Sequence, residues 1–112
     1  RLQGDWSSDV CSSDLWCHEL AFPDGYEEVR DGYLGHIHIK DVFVDTPKAT
    51  LTVKEMGQGQ LGPLFEDMAA ALRKDQYKGV ISFESVYHPG NGNFEDGFRK
   101  CIGKFKSLFG VD

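Results

Sequence analysis

The sequence predicts an α/β fold in which parallel strands are joined by helices. Two segments, residues 34–42 and 80–86, alternate apolar and polar side chains with a period of two, which is typical of strands. A helical pattern over residues 62–76 separates them, and a second helical pattern follows the later strand. A strand, a helix and another strand in this order form a parallel pair with a right-handed crossover.

The composition restricts the classes of protein to which the chain can belong. It has 112 residues, a formal net charge of −6, and 12 Lys and Arg scattered against 18 Asp and Glu. Nucleic acids and anionic membranes bind clustered basic side chains, so we expect neither as a partner. No apolar run approaches the roughly 18–20 residues that span a bilayer, and the 3 Cys lack a CxxC spacing. We therefore expect a cytoplasmic protein with reduced thiols.

The first residues resemble a translated sequencing adapter. Residues 5–15, DWSSDVCSSDL, correspond codon by codon to a widely used short-read adapter. A natural Ser- and Asp-rich linker is the alternative, but a chance match of this length is far less frequent. We therefore expect residues 1–15 to be a non-native segment that packs on nothing. Residues 16–112 are then expected to be the C-terminal fragment of a larger domain.

A turn and a short helix are predicted before the first strand, over residues 23–30. Asp24 is placed to accept a hydrogen bond from the first free N–H groups of this helix, and Gly32 is placed to end it. After the first strand, residues 43–60 are predicted to form a long connection with one short extended piece at residues 50–53. Connections of this length usually have a function.

Two amphipathic helices supply apolar faces. In the first, residues 62–76, apolar side chains recur at helical spacing, namely Leu61, Leu64, Phe65, Met68, Ala69 and Leu72. In the last helix they are Phe94, Phe98, Cys101, Ile102, Phe105, Leu108 and Phe109. Both patterns predict helices with one face buried against a sheet.

The two strands carry titratable side chains on one face. Ile37 and Ile39 alternate with His36, His38 and Lys40, and Ile81 and Phe83 alternate with Val80, Ser82 and Glu84. In a closed (β/α) barrel, residues that point inward near the C-terminal ends of strands carry the chemistry. His38 and Glu84 lie late in their strands with the same parity. We therefore expect their side chains on one side of adjacent strands.

Four motifs in this order resemble the C-terminal quarter of the sugar phosphate isomerase/epimerase families, which have the xylose isomerase-like TIM barrel. They are GHIHIKD at residues 35–41, GQG at 57–59, QYKG at 76–79 and ISFES at 81–85. The resemblance covers nearly all of residues 16–110. It implies that the chain contains about strands 7 and 8 of a (β/α)8 barrel, which is incomplete in this chain.

The resemblance implies a divalent metal, Mn²⁺, Mg²⁺ or Co²⁺, with Zn²⁺ as a further candidate, held by Glu, Asp, His and Glu from the last four strands. His38 matches the metal-binding His and Glu84 the last metal-binding Glu. The other two ligands are expected upstream, outside this chain. For His38 the alternative is a neutral strand histidine that is satisfied by a backbone carbonyl.

The implied function is isomerisation or epimerisation of a sugar or sugar phosphate by the full-length parent, which could form a homo-oligomer. Such enzymes remove a proton α to a carbonyl, which needs a carboxylate base and a cation that stabilises the enediolate. Glu84 is therefore the expected catalytic acid/base as well as a metal ligand. The alternative for Glu84 is a strand-end carboxylate paired with Lys40.

Further residues are candidate substrate contacts. Lys40 and Asp41 either contact substrate or form ion pairs, and His36 lies one layer deeper, where support or packing is favoured. His88 follows the second strand and either reaches a substrate hydroxyl or phosphate or is simply exposed. In the GQG motif, Gly57 and Gly59 either permit close approach to a ligand or simply make the loop flexible. Many relatives have Glu where this chain has Gln60.

Three alternatives to an isomerase or epimerase stay open. An inosose dehydratase-like lyase would use the same kind of metal site. An apurinic endonuclease-like enzyme would need clustered zinc ligands and a basic surface, which 4 His and the acidic balance disfavour. The third is a non-catalytic truncated product, because the chain holds half of the expected ligands and few of the expected strands. The fragment itself is expected to be inactive.

Overall fold

The computed structural model describes residues 21–84 and 86–110 of the chain. The predicted adapter segment, residues 1–15, lies outside the described residues, as does Ser85 of the predicted second strand. The helices are α1 (Tyr26–Val29), α2 (Phe65–Lys74) and α3 (Phe94–Phe109), and the strands are β1 (His36–Ile39), β2 (Asp41–Asp45), β3 (Thr50–Lys54) and β4 (Val80–Phe83). A π-type turn, Ala21–Gly25, precedes α1, and short 3₁₀ turns cover Thr46–Lys48 and Gly62–Leu64.

The described residues form a mixed α/β fold with two short sheets. β1 pairs with β4 in parallel, with His38 opposite Ser82 in the register. β2 and β3 form an antiparallel hairpin around the Thr46–Lys48 turn. The predicted α/β class and the predicted parallel pair are therefore confirmed.

The predicted extended piece at residues 50–53 is confirmed as part of β3. The rest of the predicted connection over residues 43–60 is wrong where it overlaps β2, because residues 43–45 pair with β3 in a hairpin. Val42 lies opposite Val53, and Val44 lies opposite Leu51. These β-branched and aliphatic pairs stabilise an antiparallel ladder. The predicted strand over residues 34–42 is correspondingly divided at Lys40 between two sheets.

The predicted cap at Asp24 is also wrong. Gly25 precedes α1 with helical angles, φ −61° and ψ −36°, and no side chain caps the helix. A capping side chain needs an extended residue at this position, and the turn before α1 does not provide one. Instead, Tyr26 donates a hydrogen bond of 2.6 Å to Asp75 at the end of α2, and Arg30 lies 3.2 Å from the same carboxylate.

The ends of α2 and β4 differ from the predicted boundaries by a few residues. α2 ends at Lys74 instead of residue 76, because Gln76 adopts a left-handed φ of +53°. β4 ends at Phe83 instead of residue 86. One further bond continues the pairing with β1, since the Glu84 N–H donates to the Ile39 carbonyl at 2.9 Å.

The core lies between the β1–β4 pair and the two longer helices. Phe65 of α2 is completely buried at its centre. The other buried members are Ile39, Met56, Leu61, Ala69, Leu72, Cys101, Phe105 and Phe109, and the partly buried Ile37, Ile81 and Phe83 pack against them. Because side chains alternate along strands, the helices cover one face of the sheet and leave His36, His38, Ser82 and Glu84 on the other.

A capping box begins α3. The Asn93 side chain accepts from the Asp96 N–H at 3.0 Å, and the Asp96 carboxylate accepts from the Asn93 N–H at 2.9 Å. We expect Asn93→Ala to lower the free energy of unfolding by about 1 kcal/mol, because it leaves a helix N–H unsatisfied. Urea denaturation followed by circular dichroism measures the change. Asn91→Ala, in the exposed loop before the helix, is the control, and equal stabilities of the two variants would contradict the prediction.

The hydrogen bond from Tyr26 to Asp75, which ties α1 to the end of α2, predicts that Tyr26 ionises at a higher pH than a free tyrosine. The pKa of Tyr26 is raised from 10.0 to about 12, first by burial and then by its hydrogen bond to Asp75 and repulsion from that carboxylate. The folded state therefore favours the protonated phenol, so this contribution to stability is complete below pH 10 and is lost as the pH rises towards 12. We expect absorbance at 295 nm to show a tyrosine ionising near pH 12, and Tyr26→Phe to remove its contribution to the titration curve.

Asp75→Asn should move the Tyr26 transition back towards pH 10, because it removes the negative charge beside the phenol. Asp67→Asn, an exposed change earlier in α2, is the control and should leave the transition in place. Ionisation of Tyr26 near pH 10 in the unchanged chain would show that α1 is not anchored in this way.

Candidate functional site

The polar face of the β1–β4 pair brings the two predicted metal ligands together. His38 and Glu84 lie at the C-terminal ends of adjacent parallel strands. The His38 Nδ1 is 4.0 Å from the Glu84 Oε2. Both side chains therefore point to the same side of the sheet, as the alternation predicts. The predicted placement of His38 and Glu84 is therefore confirmed, and the binding of a metal by them stays a prediction.

Lys40 forms an ion pair with Glu84. Its Nζ is 3.0 Å from Oε2 and 3.1 Å from Oε1, so it contacts both carboxylate oxygens. The Lys40 side chain is 13% exposed and the Glu84 side chain 30%. The Lys40 side chain is therefore mostly covered by protein, and its ammonium does not move freely in solvent. This contact is the one that the alternative interpretation of Glu84 predicts.

The donor set fits half of a divalent metal site. Imidazole nitrogen and carboxylate oxygen are donors that Mn²⁺, Co²⁺ and Zn²⁺ accept. Two ligands of one ion at about 2.1 Å are usually about 3–3.5 Å apart, so the 4.0 Å between His38 and Glu84 needs only a small side-chain rotation to close. Residues 21–84 and 86–110 contain no group of three or more His, Cys, Asp or Glu side chains able to hold a metal.

His36 lies beside His38 on the same face. Its Nε2 is 2.6 Å from the Ser82 hydroxyl oxygen, and its ring meets the His38 ring edge to face with centroids 4.5 Å apart. His36 therefore contacts a predicted ligand through its ring and is tied to β4 by a hydrogen bond. A supporting role for His36 stays a prediction.

His88 lies in the exposed loop between β4 and α3. Its Nδ1 accepts from the Gly90 N–H at 3.1 Å, and its ring packs edge to face on Phe94 at 5.2 Å. These contacts tie His88 to its own loop and to the beginning of α3. Contact of His88 with a substrate hydroxyl or phosphate stays a prediction.

Asp41 has a structural role that the sequence did not indicate. It is 1% exposed, and its carboxylate accepts four backbone N–H bonds. The donors, at distances of 2.8–3.1 Å, are those of Val42, Gly57, Gly59 and Leu61. Four charge-assisted bonds hold the GQG segment against the beginning of β2.

The close approach that the glycines permit is therefore an approach to Asp41. A Cβ at Gly59 would overlap the Asp41 carboxylate and lie 2.7 Å from the Val42 carbonyl oxygen. The expectation that Asp41 contacts substrate or pairs with a basic neighbour is wrong, because the backbone N–H groups occupy its oxygens.

Gln60 also serves the fold. Its side-chain oxygen accepts from the Val44 N–H at 2.9 Å, and its side-chain nitrogen donates to the Val44 carbonyl at 3.4 Å. The amide thus continues the pairing along the edge of β2. A Glu at this position could accept but not donate, which accounts physically for an amide here.

No helix of the described residues is long and apolar enough to cross a membrane.

Comparison of the chain with protein-family models, with curated proteins and with solved structures found no match.

Proposed function

We propose that residues 16–110 form the last two βα units of a divalent-metal-dependent sugar or sugar phosphate isomerase or epimerase with a TIM barrel. The observation that carries the proposal is the placement of His38 and Glu84 on one side of adjacent parallel strands, at their C-terminal ends, 4.0 Å apart. In TIM barrels this end of the strands holds the active site. The order of the four sequence motifs supports the same family.

The two residues have distinct proposed roles. Glu84 would remove the proton from the carbon next to the substrate carbonyl. In an isomerase it would deliver this proton to the former carbonyl carbon, whereas in an epimerase the other metal-binding Glu, which the resemblance implies upstream, would protonate the same carbon from the opposite face. His38 holds the cation beside Glu84, and His36 restrains the His38 ring through the edge-to-face contact. The metal, when bound, supplies a Lewis acid for the charge that develops on the carbonyl oxygen.

The proposal assigns activity to a longer parent and not to the 112-residue chain. Among the described residues, β1 and β4 pair only with each other. A closed barrel needs further strands on both edges, and the resemblance implies two more ligands on them. We expect the chain on its own to be inactive in every assay below.

A non-catalytic product is the second candidate, and the ion pair between Lys40 and Glu84 favours it. A carboxylate that is neutralised by an ammonium at 3.0 Å needs no metal to be stable in this fold. The two candidates differ in what the unbroken gene encodes upstream. A Glu and an Asp at the ends of the fifth and sixth strands support the enzyme, and their absence supports a non-catalytic paralogue.

The parent enzyme provides the functional test. Purified parent, stripped with EDTA, is assayed for aldose–ketose interconversion and C3-epimerisation over a panel of sugars and sugar phosphates. We expect activity to return when Mn²⁺, Mg²⁺ or Co²⁺ is added. Dehydration of an inosose instead would indicate the lyase, and cleavage of abasic DNA would indicate the endonuclease. Inactivity in all of these assays with metal present would support the non-catalytic product.

A further inference from the structure

The cation that Glu84 contacts in this structure is the ammonium of Lys40. We propose that Lys40 competes with the divalent metal for Glu84, so that metal binding requires the Lys40 ammonium to leave the carboxylate. This inference rests on the proposed function, because it assumes that His38 and Glu84 bind the ion. It assigns Lys40 a regulatory role in loading the site.

The ion pair is positioned by the backbone of both strands. Lys40 directly follows β1, and Glu84 directly follows β4, where its N–H donates to Ile39 at 2.9 Å. The two side chains therefore project from neighbouring points of the sheet. The Lys40 stem is largely covered, and its Nζ contacts both oxygens of the carboxylate. Little conformational entropy remains to be lost when the pair forms, so the contact is more favourable than one between freely moving side chains.

The metal and the ammonium would use the same oxygen. The His38 Nδ1 and the Lys40 Nζ both face Glu84 Oε2, at 4.0 Å and 3.0 Å. An ion bound to this oxygen at about 2.1 Å would lie within about 5 Å of the ammonium. Even at the dielectric constant of water, a double and a single positive charge at this distance repel enough to weaken binding about tenfold. A site shielded from water has a lower dielectric constant, which would increase this repulsion.

Lys40→Met in the parent, where the resemblance implies two further ligands, tests the competition. Methionine retains an unbranched stem of similar length and removes the charge. We expect this variant to bind Mn²⁺ about tenfold more tightly than the unchanged parent, measured from the electron paramagnetic resonance signal of free Mn²⁺. Lys40→Arg is the matched control, since it keeps the positive charge and should retain the weaker affinity. Thermal melting followed by circular dichroism verifies that each variant folds.

Two ligand variants separate this inference from the proposed function. His38→Gln and Glu84→Gln, each combined with Lys40→Met, should abolish the tighter binding. If binding depends on His38 and Glu84 but Lys40→Met binds Mn²⁺ equally or more weakly, the competition is wrong and the metal site remains. If neither the unchanged parent nor its Lys40→Met variant binds Mn²⁺ through these two residues, both the competition and the proposed metal site are wrong.

Discussion

Glu84→Gln in the intact parent enzyme should lower turnover by roughly 10²–10⁴-fold, the usual effect of removing one positioned acid/base group. The substitution keeps the size of the side chain but removes the base and one anionic metal ligand, so metal binding should weaken as well. Steady-state rates with saturating Mn²⁺, together with the Mn²⁺ dissociation constant, measure the two effects separately. They should be determined on the sugar that the unchanged parent converts fastest.

Glu95→Gln is the matched control for this experiment. Glu95 lies on the exposed surface of α3, where its carboxylate is 2.6 Å from Arg99, and the same chemical change there should leave turnover near normal. Near-normal, metal-stimulated turnover by Glu84→Gln would contradict the account. Glu84 would then be a structural carboxylate paired with Lys40.

Asp41→Ala should lower the free energy of unfolding by about 3–5 kcal/mol, because it leaves four buried or partly buried backbone N–H groups without their acceptor. The GQG segment would lose its attachment to the beginning of β2. Urea denaturation followed by far-ultraviolet circular dichroism measures the loss. Asp31→Ala, at an exposed turn position, is the control and should change stability by less than about 0.5 kcal/mol.

Asp41→Asn extends this test to a milder change. Its amide oxygen can still accept from two of the four N–H groups, so its stability should lie between those of Asp41→Ala and the unchanged chain. Should Asp41→Ala unfold within 1 kcal/mol of the unchanged chain, the carboxylate would not be what holds the loop.

The parts of the fold that the sequence predicted correctly are those with a clear apolar period. Phe65 and Leu72 in α2, and Phe105 and Phe109 in α3, mark helix faces that are buried in the structure. β2 was missed because the exposed Phe43 lies between Val42 and Val44, so that the apolar run does not show the alternation of apolar and polar residues that predicts a strand. Periodicity reports burial, so a solvent-facing ladder of apolar residues gives no clear signal.

The alternation of side chains along strands also predicted part of the candidate site. The alternation of side chains along each strand is sufficient to place His38 and Glu84 on one face of the sheet. A shift of either residue by one position would move its side chain to the opposite face. The role of Asp41 was not predictable, because its partners are backbone N–H groups up to twenty residues away in the sequence. Backbone donors are present at every non-proline position, so no residue pattern identifies which of them a carboxylate will bind.

Anomalous diffraction from Mn²⁺-soaked crystals of the parent tests the central claim most directly, because it locates the ion without reference to activity. The account predicts a manganese peak about 2.0–2.3 Å from an imidazole nitrogen of His38 and from a carboxylate oxygen of Glu84, with the Lys40 ammonium displaced from that carboxylate. A peak elsewhere, or no peak with the Lys40–Glu84 pair intact, would contradict it.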